Sequence, residues 1–416
     1  MFSTRHGVLG GDRRRDVLRR SVILAIISFL TLIDLFGGQA LLPKLVEAYD
    51  TDIATMGLAV NASTFGMALS GLVVAWFADR IDRKRGIWIS LVLLSIPTAL
   101  LGIVDNVWLF LSLRVVQGIF MAAAFMLTMT YLSEQCDVTA AGGAMAAYIT
   151  GNVAANLFGR MLAVSIADHS GLSGSFFAFA VLNLLGAVFA FTMIGARDRE
   201  APMRKGSPLQ AWRAHLANRS LRTAFAMGFA ILYVFVGIFT YVNVHLTENL
   251  NIPDHQIALV YLVFLPALVT TPFAASAVSR YGPQAVFQIS GVLALAGVAL
   301  TFIPSLGAVL TGLAVIGTGT FFMQAAATGF VGRTAKGDRA AANGLYLTSY
   351  YLGGLVGAFT LGQAHLAGGW FLVAGINAVF LLAMLPLARA LHDPQQQQVP
   401  QQQPTRDGQS TKPDTP

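Results

Sequence analysis

The sequence predicts an all-α membrane protein whose twelve transmembrane helices form two six-helix bundles. Of its 416 residues 55% are hydrophobic and only 11% charged, with mean hydropathy +0.65, whereas a soluble domain carries about 25% charged residues. Apolar runs long enough to cross roughly 30 Å of hydrocarbon recur twelve times along the chain. With the N-terminus placed inside, all of the 27 Lys and Arg residues except Lys44, Arg114 and Arg160 fall on the inner side, as the positive-inside rule requires. One missed or extra span would scramble that distribution.

The elements follow in order. Residues 1–20 form a cytoplasmic tail carrying Arg13, Arg14, Arg15, Arg19 and Arg20. The apolar run 21–42 behind it is longer than a signal-peptide core, contains Asp34 and lacks a small-residue cleavage site, so a retained first span is expected. Runs at 57–78, 87–104, 107–132, 142–166 and 173–194 complete a first bundle, residues 21–195. The polar loop 196–222 contains Ser207-Pro208-Leu209-Gln210, a capping box with proline at the first helical position. Leu209, Trp212 and Leu216 then share one face, predicting a short amphipathic helix on the inner leaflet. Runs at 223–246, 256–279, 284–303, 306–331, 341–364 and 369–391 form the second bundle, residues 223–391. The Gln- and Pro-rich tail, 392–416, is too polar to bury and is expected to be a disordered cytoplasmic segment.

Several function classes are excluded. A net charge of +7 invites a nucleic-acid reading, but the bases cluster between apolar runs without interleaved aromatics. The lone Cys136 rules out a disulfide framework or multi-Cys metal site, and the seven histidines are scattered through loops, tails and span ends. No P-loop, dinucleotide fingerprint or hydrolase elbow occurs. The expectation is no enzyme activity, no cofactor and no metal.

The stretch Gly71–Gly86 ends an apolar run with Asp79, Arg80, Asp82, Arg83, Lys84 and Arg85. Each would cost about 2.5–3.5 kcal/mol in hydrocarbon, so it is a basic turn between two spans. It resembles the signature loop between the second and third spans of the major facilitator superfamily. Asp79, Arg80, Arg83 and Lys84 stand on its charged positions, and Ala75 and Asp82 stand where the family usually has glycine. A counterpart, Val278-Ser279-Arg280-Tyr281-Gly282, follows 200 residues later without the carboxylate. Arg114, Gln117 and Gly118 resemble the family's R-x-x-Q-G motif, associated with proton coupling, and Asp34 to Pro43 resembles the first span of its proton-driven efflux members. Gly151 is followed by Asn152 where the antiporter branch often has Gly-Pro. The resemblance implies two bundles related by a parallel repeat, with a substrate site between them near the midplane. It also implies that Asp79 and the bases after it latch the bundles closed on the cytoplasmic face.

Read directly, Asp34 is the only acid well inside a span, about 21 Å beyond Arg20 along the helix. An acid at that depth is a functional candidate by default. Its structural alternative is pairing with a base or with Gln39. Arg114 lies about 10 Å from the outer end of the fourth span. A guanidinium donates hydrogen bonds and keeps its proton, so Arg114 is expected to partner a nearby acid, or else to snorkel outward. Tyr148, Asn152, Asn156 and Arg160, at steps of four, form one face that is costly toward lipid and is expected to line the central cavity. The alternative is interhelical glue, with Gly151 and Gly159 as packing positions. Tyr233 and Gln324 are further lining candidates, with Asn61, Tyr241, Asn243, Tyr346 and Tyr350.

The expected function is secondary active transport: export of a small molecule in exchange for protons, in a bacterial cytoplasmic membrane, with both termini cytoplasmic. Its partners are substrate, protons and the lipid bilayer, not nucleic acid, and the family expectation is a monomer. Two alternatives stay open. Two intramembrane arginines against one acid favour an uptake symporter for a small organic anion. The degenerate second-half loop favours a membrane sensor or scaffold that transports nothing.

Overall fold

A computed structural model describes residues 5–77, 81–135, 138–195, 208–250, 252–335 and 338–391. Asp79, Arg80, the polar loop from 196 to 207, including Ser207 of the predicted capping box, and the 392–416 tail lie outside the described residues. What is described is helical, with no strand. The helices are α1 (Arg5–Ala40), α2 (Leu42–Ala48), α3 (Ile53–Phe77), α4 (Arg83–Leu100), α5 (Val107–Gln135), α6 (Val138–Met193), α7 (Pro208–Ala217), α8 (Arg219–Val244), α9 (Asp254–Val260), α10 (Leu265–Thr270), α11 (Ala274–Leu300), α12 (Leu306–Thr334) and α13 (Arg339–Leu387).

Instead of twelve separate runs, the described residues hold eight apolar helical segments long enough to cross a membrane. Three of them, of 47, 45 and 51 residues, are about twice the ~20 residues of one crossing, and each is broken at a glycine with positive φ: Gly171 (72°), Gly282 (80°) and Gly369 (61°). Left-handed backbone is cheap only for glycine, so the chain reverses there with almost no loop.

The two halves turn their equivalent corners differently. Gly282, followed by Pro283, bends inside α11. In the first half Asp82 has φ −62° and its carboxylate accepts from Arg85 N at 2.7 Å. It is therefore an N-cap of α4, and a glycine is not needed where the resembled family usually has one. Lys84 lies over the Phe191 ring at 5.1 Å, a contact inside the first bundle. The first turn of α4 thus faces the end of α6, and Asp79, the carboxylate of the expected latch, lies outside the described residues. The predicted linker helix is present as α7; Trp212 meets Trp76 edge-on at 5.6 Å, and Leu209 and Leu216 are exposed.

Small residues set the packing. A Cβ on Gly118 would stand 1.9 Å from Ser63 O, and one on Gly66 2.0 Å from Val115 O, so α3 and α5 touch backbone to backbone. Between the halves, α3 runs beside α13: Gly362 approaches Ala54 near one end, and Thr348 Oγ1 donates to Ala68 O at 3.1 Å toward the other. Large apolar side chains such as Trp108, Val188, Phe273 and Val379 point outward, where hydrocarbon would cover them.

Candidate functional site

Asp34 sits in α1, 1% exposed, and three helix segments deliver polar groups to it. Thr98 Oγ1 from α4, Gln117 Nε2 from α5 and Asn183 Nδ2 from the second arm of α6 donate to its Oδ2 at 3.1, 2.8 and 3.1 Å. The same two amides also donate to Thr98 Oγ1, at 2.8 and 3.2 Å, closing the four groups into one knot. Asp34 Oδ1 accepts no hydrogen bond among the described residues. One carboxylate oxygen is thus held by three donors while the other is uncommitted.

Arg114 is fully buried, so it does not snorkel. It stands beside the expected acid, Nη1 3.5 Å from the Asp34 backbone oxygen, but makes no ion pair with the carboxylate: among the described residues the one ion pair within 4 Å is Lys44–Asp168, at 2.6 Å. The guanidinium instead clamps backbone. Nε and Nη2 donate to Val60 O at 2.9 and 2.7 Å, and Nη1 to Gln117 Oε1 at 2.5 Å. Gln117 therefore stands between Arg114 and Asp34, its oxygen on the cation and its amide on the carboxylate. Gly118, next to it, presses α5 onto α3 and keeps the knot in register.

A second cluster centres on Arg160 of α6, also fully buried. Its Nε donates to Asn156 Oδ1 at 2.9 Å, Nη1 to Phe239 O of α8 at 2.9 Å, and Nη2 to Gln39 Oε1 at 2.5 Å. Gln39 Nε2 in turn donates to Asn61 Oδ1 at 2.7 Å, and Asn61 Nδ2 lies 3.3 Å from Thr240 Oγ1 of α8. Rings of Phe36, Phe239, Tyr261 and Phe264 surround the guanidinium with centroids at 5.2–5.8 Å, a cation–π cage. These bonds join the two halves of the chain. Next to them a cavity of about 20 Å³, room for one or two waters, is lined by Phe36, Gln39, Asn152, Gln324, Tyr350 and Tyr351 among others.

The polar stripe of the fifth span therefore divides. Asn152 lines the cavity, and Asn156 and Arg160 stand behind its Gln39 and Phe36 wall. Tyr148, expected in the cavity, turns instead to α5, where its hydroxyl donates to Phe125 O at 2.7 Å. Tyr233 is likewise not a lining residue. Its ring stacks on Phe380 at 3.9 Å and its hydroxyl meets Thr360 at 2.9 Å, because its position on α8 faces α13. Gln324 and Tyr350 stand where expected. Gln39 is not a partner of Asp34: five residues along a helix place it about 140° around the axis. Thr98, Asn183 and Tyr351 were not foreseen. Asn183, a lone amide amid an apolar run, was the one with a sequence signal.

The family model described as Major Facilitator Superfamily matches residues 24–246 and 233–413. The inner membrane transport protein YnfM of Escherichia coli is 27% identical over 377 residues, 89% of this chain and 90% of that protein. A bicyclomycin resistance protein homolog of Haemophilus influenzae is 21% identical over 308 residues, 71% of this chain and 74% of that one. Among solved structures, the nucleoside transporter NupG superposes with TM-score 0.70 at 16% identity, covering 89% of this chain and 99% of its own, a likeness of fold.

Proposed function

The chain belongs to the major facilitator superfamily, whose members are membrane transporters and not enzymes, and from that premise we propose that it exports a small molecule across a cytoplasmic membrane in exchange for protons. The observation that carries this is the state of Asp34: a buried acid whose carboxylate has no Lys or Arg nitrogen within 4 Å among the described residues, one oxygen held by three donors and the other uncommitted. The proton rides on Oδ1. Thr98, Gln117 and Asn183 keep the carboxyl oriented in both protonation states, and Arg114 fixes Gln117. Export is favoured by the relative named for bicyclomycin resistance.

Twelve crossings follow if α6 and α13 each count as two, the 256–300 segment counts as two, and α4 joins the eight apolar segments as a crossing. The bundles are then residues 21–195 and 223–391, with both termini cytoplasmic. They rock about the central cavity, and the Arg160 cluster is the contact that parts when the outer side opens.

In inverted membrane vesicles carrying a preformed acid-inside pH gradient, addition of a substrate from a panel of drugs, sugars and organic anions should release the gradient. Acidification coupled to substrate entry in right-side-out vesicles would instead establish uptake symport, the second reading, which the buried Arg160 favours. No proton movement with any transported compound would sink both.

A further inference from the structure

Arg160 is a second buried charge that proton exchange at Asp34 does not use. Its recorded partners are all neutral: an amide oxygen of Asn156, a backbone carbonyl of Phe239, the side-chain oxygen of Gln39 and the Tyr261 hydroxyl. No carboxylate lies within 4 Å among the described residues. A buried cation without a counter-charge is costly, and intramembrane charge is retained mainly where it serves a ligand or ion pathway. Arg114 differs, since its fork is spent on Val60 O and Gln117. Beside Arg160, Asn156 Nδ2 is a buried donor with no partner among the described residues. Two donor groups thus lie on adjoining side chains, and the nearest acceptor of Arg160, Gln39 Oε1, belongs to a side chain that also lines the cavity. The cavity as it stands has room for one or two waters, so a ligand would enter when the bundles part, and its oxygen would then meet Arg160 by displacing that carboxamide. Three aromatic rings are in the cavity wall: Phe36, which borders both the cavity and the guanidinium, Tyr350 and Tyr351.

We propose that the transported molecule bears an anionic oxygen group, a carboxylate, sulfonate or phosphate, on a planar apolar body, and that Arg160 and Asn156 bind that group. A charge-assisted pair then replaces the contact to Gln39, the rings hold the apolar part, and the wall of the cavity is remade through the ligand. This rests on the transport reading above for the use of the cavity, but not on proton exchange.

The test is thermal unfolding of the purified full-length protein with 2-naphthoate, naphthalene-2-sulfonate and 2-naphthyl phosphate, against 2-naphthamide and 2-naphthylmethylammonium. At least one anionic probe should raise Tm saturably while the neutral and cationic probes do not. Arg160→Gln should weaken that binding by about tenfold or more, as losing a charge-assisted hydrogen bond implies, and Arg160→Lys by less. Should Arg160→Gln not fold, Asn156→Leu serves, with a smaller loss of the same sign. Equal protection by the amide or the ammonium, no protection by any anionic probe, or unchanged affinity in the variants overturns the inference. Anion binding that persists in a protein failing the vesicle assay removes the export reading alone. Gradient release by neutral substrates without anion selectivity removes this one alone.

Discussion

Asp34→Asn is the sharpest perturbation available, because it removes one titratable proton and almost no volume. The three donors on Oδ2, at 2.8–3.1 Å, find an amide oxygen in the same place, so the knot persists. Its new NH2 falls at the uncommitted Oδ1 position, a buried donor without a partner, which costs about 1–3 kcal/mol. The variant should therefore fold with a modestly lower Tm. Its energetics of transport should change completely. With the membrane potential clamped to zero in reconstituted vesicles, one-for-one exchange supports about a tenfold substrate gradient per pH unit, since a pH unit is worth about 1.4 kcal/mol per proton. Two units give about a hundredfold. In Asp34→Asn the ratio should fall to one, while radiolabelled substrate still exchanges with unlabelled substrate across the membrane. A variant that still accumulates tenfold per pH unit would refute the role given to this carboxyl.

Three further outcomes are expected. Gln39→Glu places a carboxylate 2.5 Å from Arg160 Nη2, where it competes with an anionic ligand; the KM for such a substrate should rise about tenfold or more, and an unchanged KM would count against binding at Arg160. Gly118→Ala drives a methyl to within 1.9 Å of Ser63 O and should destabilise by about 1–3 kcal/mol or more as overpacking, read as a lower Tm and lost expression; wild-type Tm would mean that α3 and α5 are not in backbone contact. Asp52 accepts from Thr55 Oγ1 at 2.6 Å and from Thr55 N at 2.9 Å, which hold its carboxyl below the ordinary range. A lowered folded-state value means its stabilisation is complete above about pH 4 and fades as pH falls through that lowered value. Asp52→Ala should lose about 1 kcal/mol as a missing helix cap at neutral pH but little in strong acid, and equal losses at both would contradict the assignment.

Much of the architecture was legible because burial in a bilayer leaves a coarse signal. Span positions follow from apolar run length, and the placement of Arg and Lys is uneven enough to order the spans. Breaks within α6, α11 and α13 were legible only in part, since a glycine among 41 does not announce a positive φ. At the site, Asp34, Arg114 and Gln117 stood out because charge and amide are expensive inside a span. What could not be read was rotation. Tyr148 and Tyr233 share their helices with genuine lining positions, and which side of an apolar helix meets the cavity depends on its neighbours, not on its own residues. The same ambiguity hid Thr98, an ordinary hydroxyl, and made Gln39 a neighbour of Asp34 in sequence while it serves Arg160 in space. Phe239 contributes a carbonyl oxygen, which every residue has and no sequence can flag.

The position of α1 has a mechanical consequence. On one side it presents Asp34 to α4, α5 and the second arm of α6, and about 140° around it presents Gln39 to Arg160. Between them Gly37 and Gly38 let the helix lie against Phe179 and the Arg114 guanidinium, where added Cβ atoms would stand 2.5 and 3.1 Å away. A helix with side chains has a radius of about 5–6 Å, so rolling α1 by about ten degrees would carry both side-chain tips roughly 1 Å, enough to lengthen hydrogen bonds on both sides at once. On the proposed exchange, α1 would act as a camshaft: proton arrival on one lobe and cargo arrival on the other would turn the same axle, with no relay of residues needed between the two.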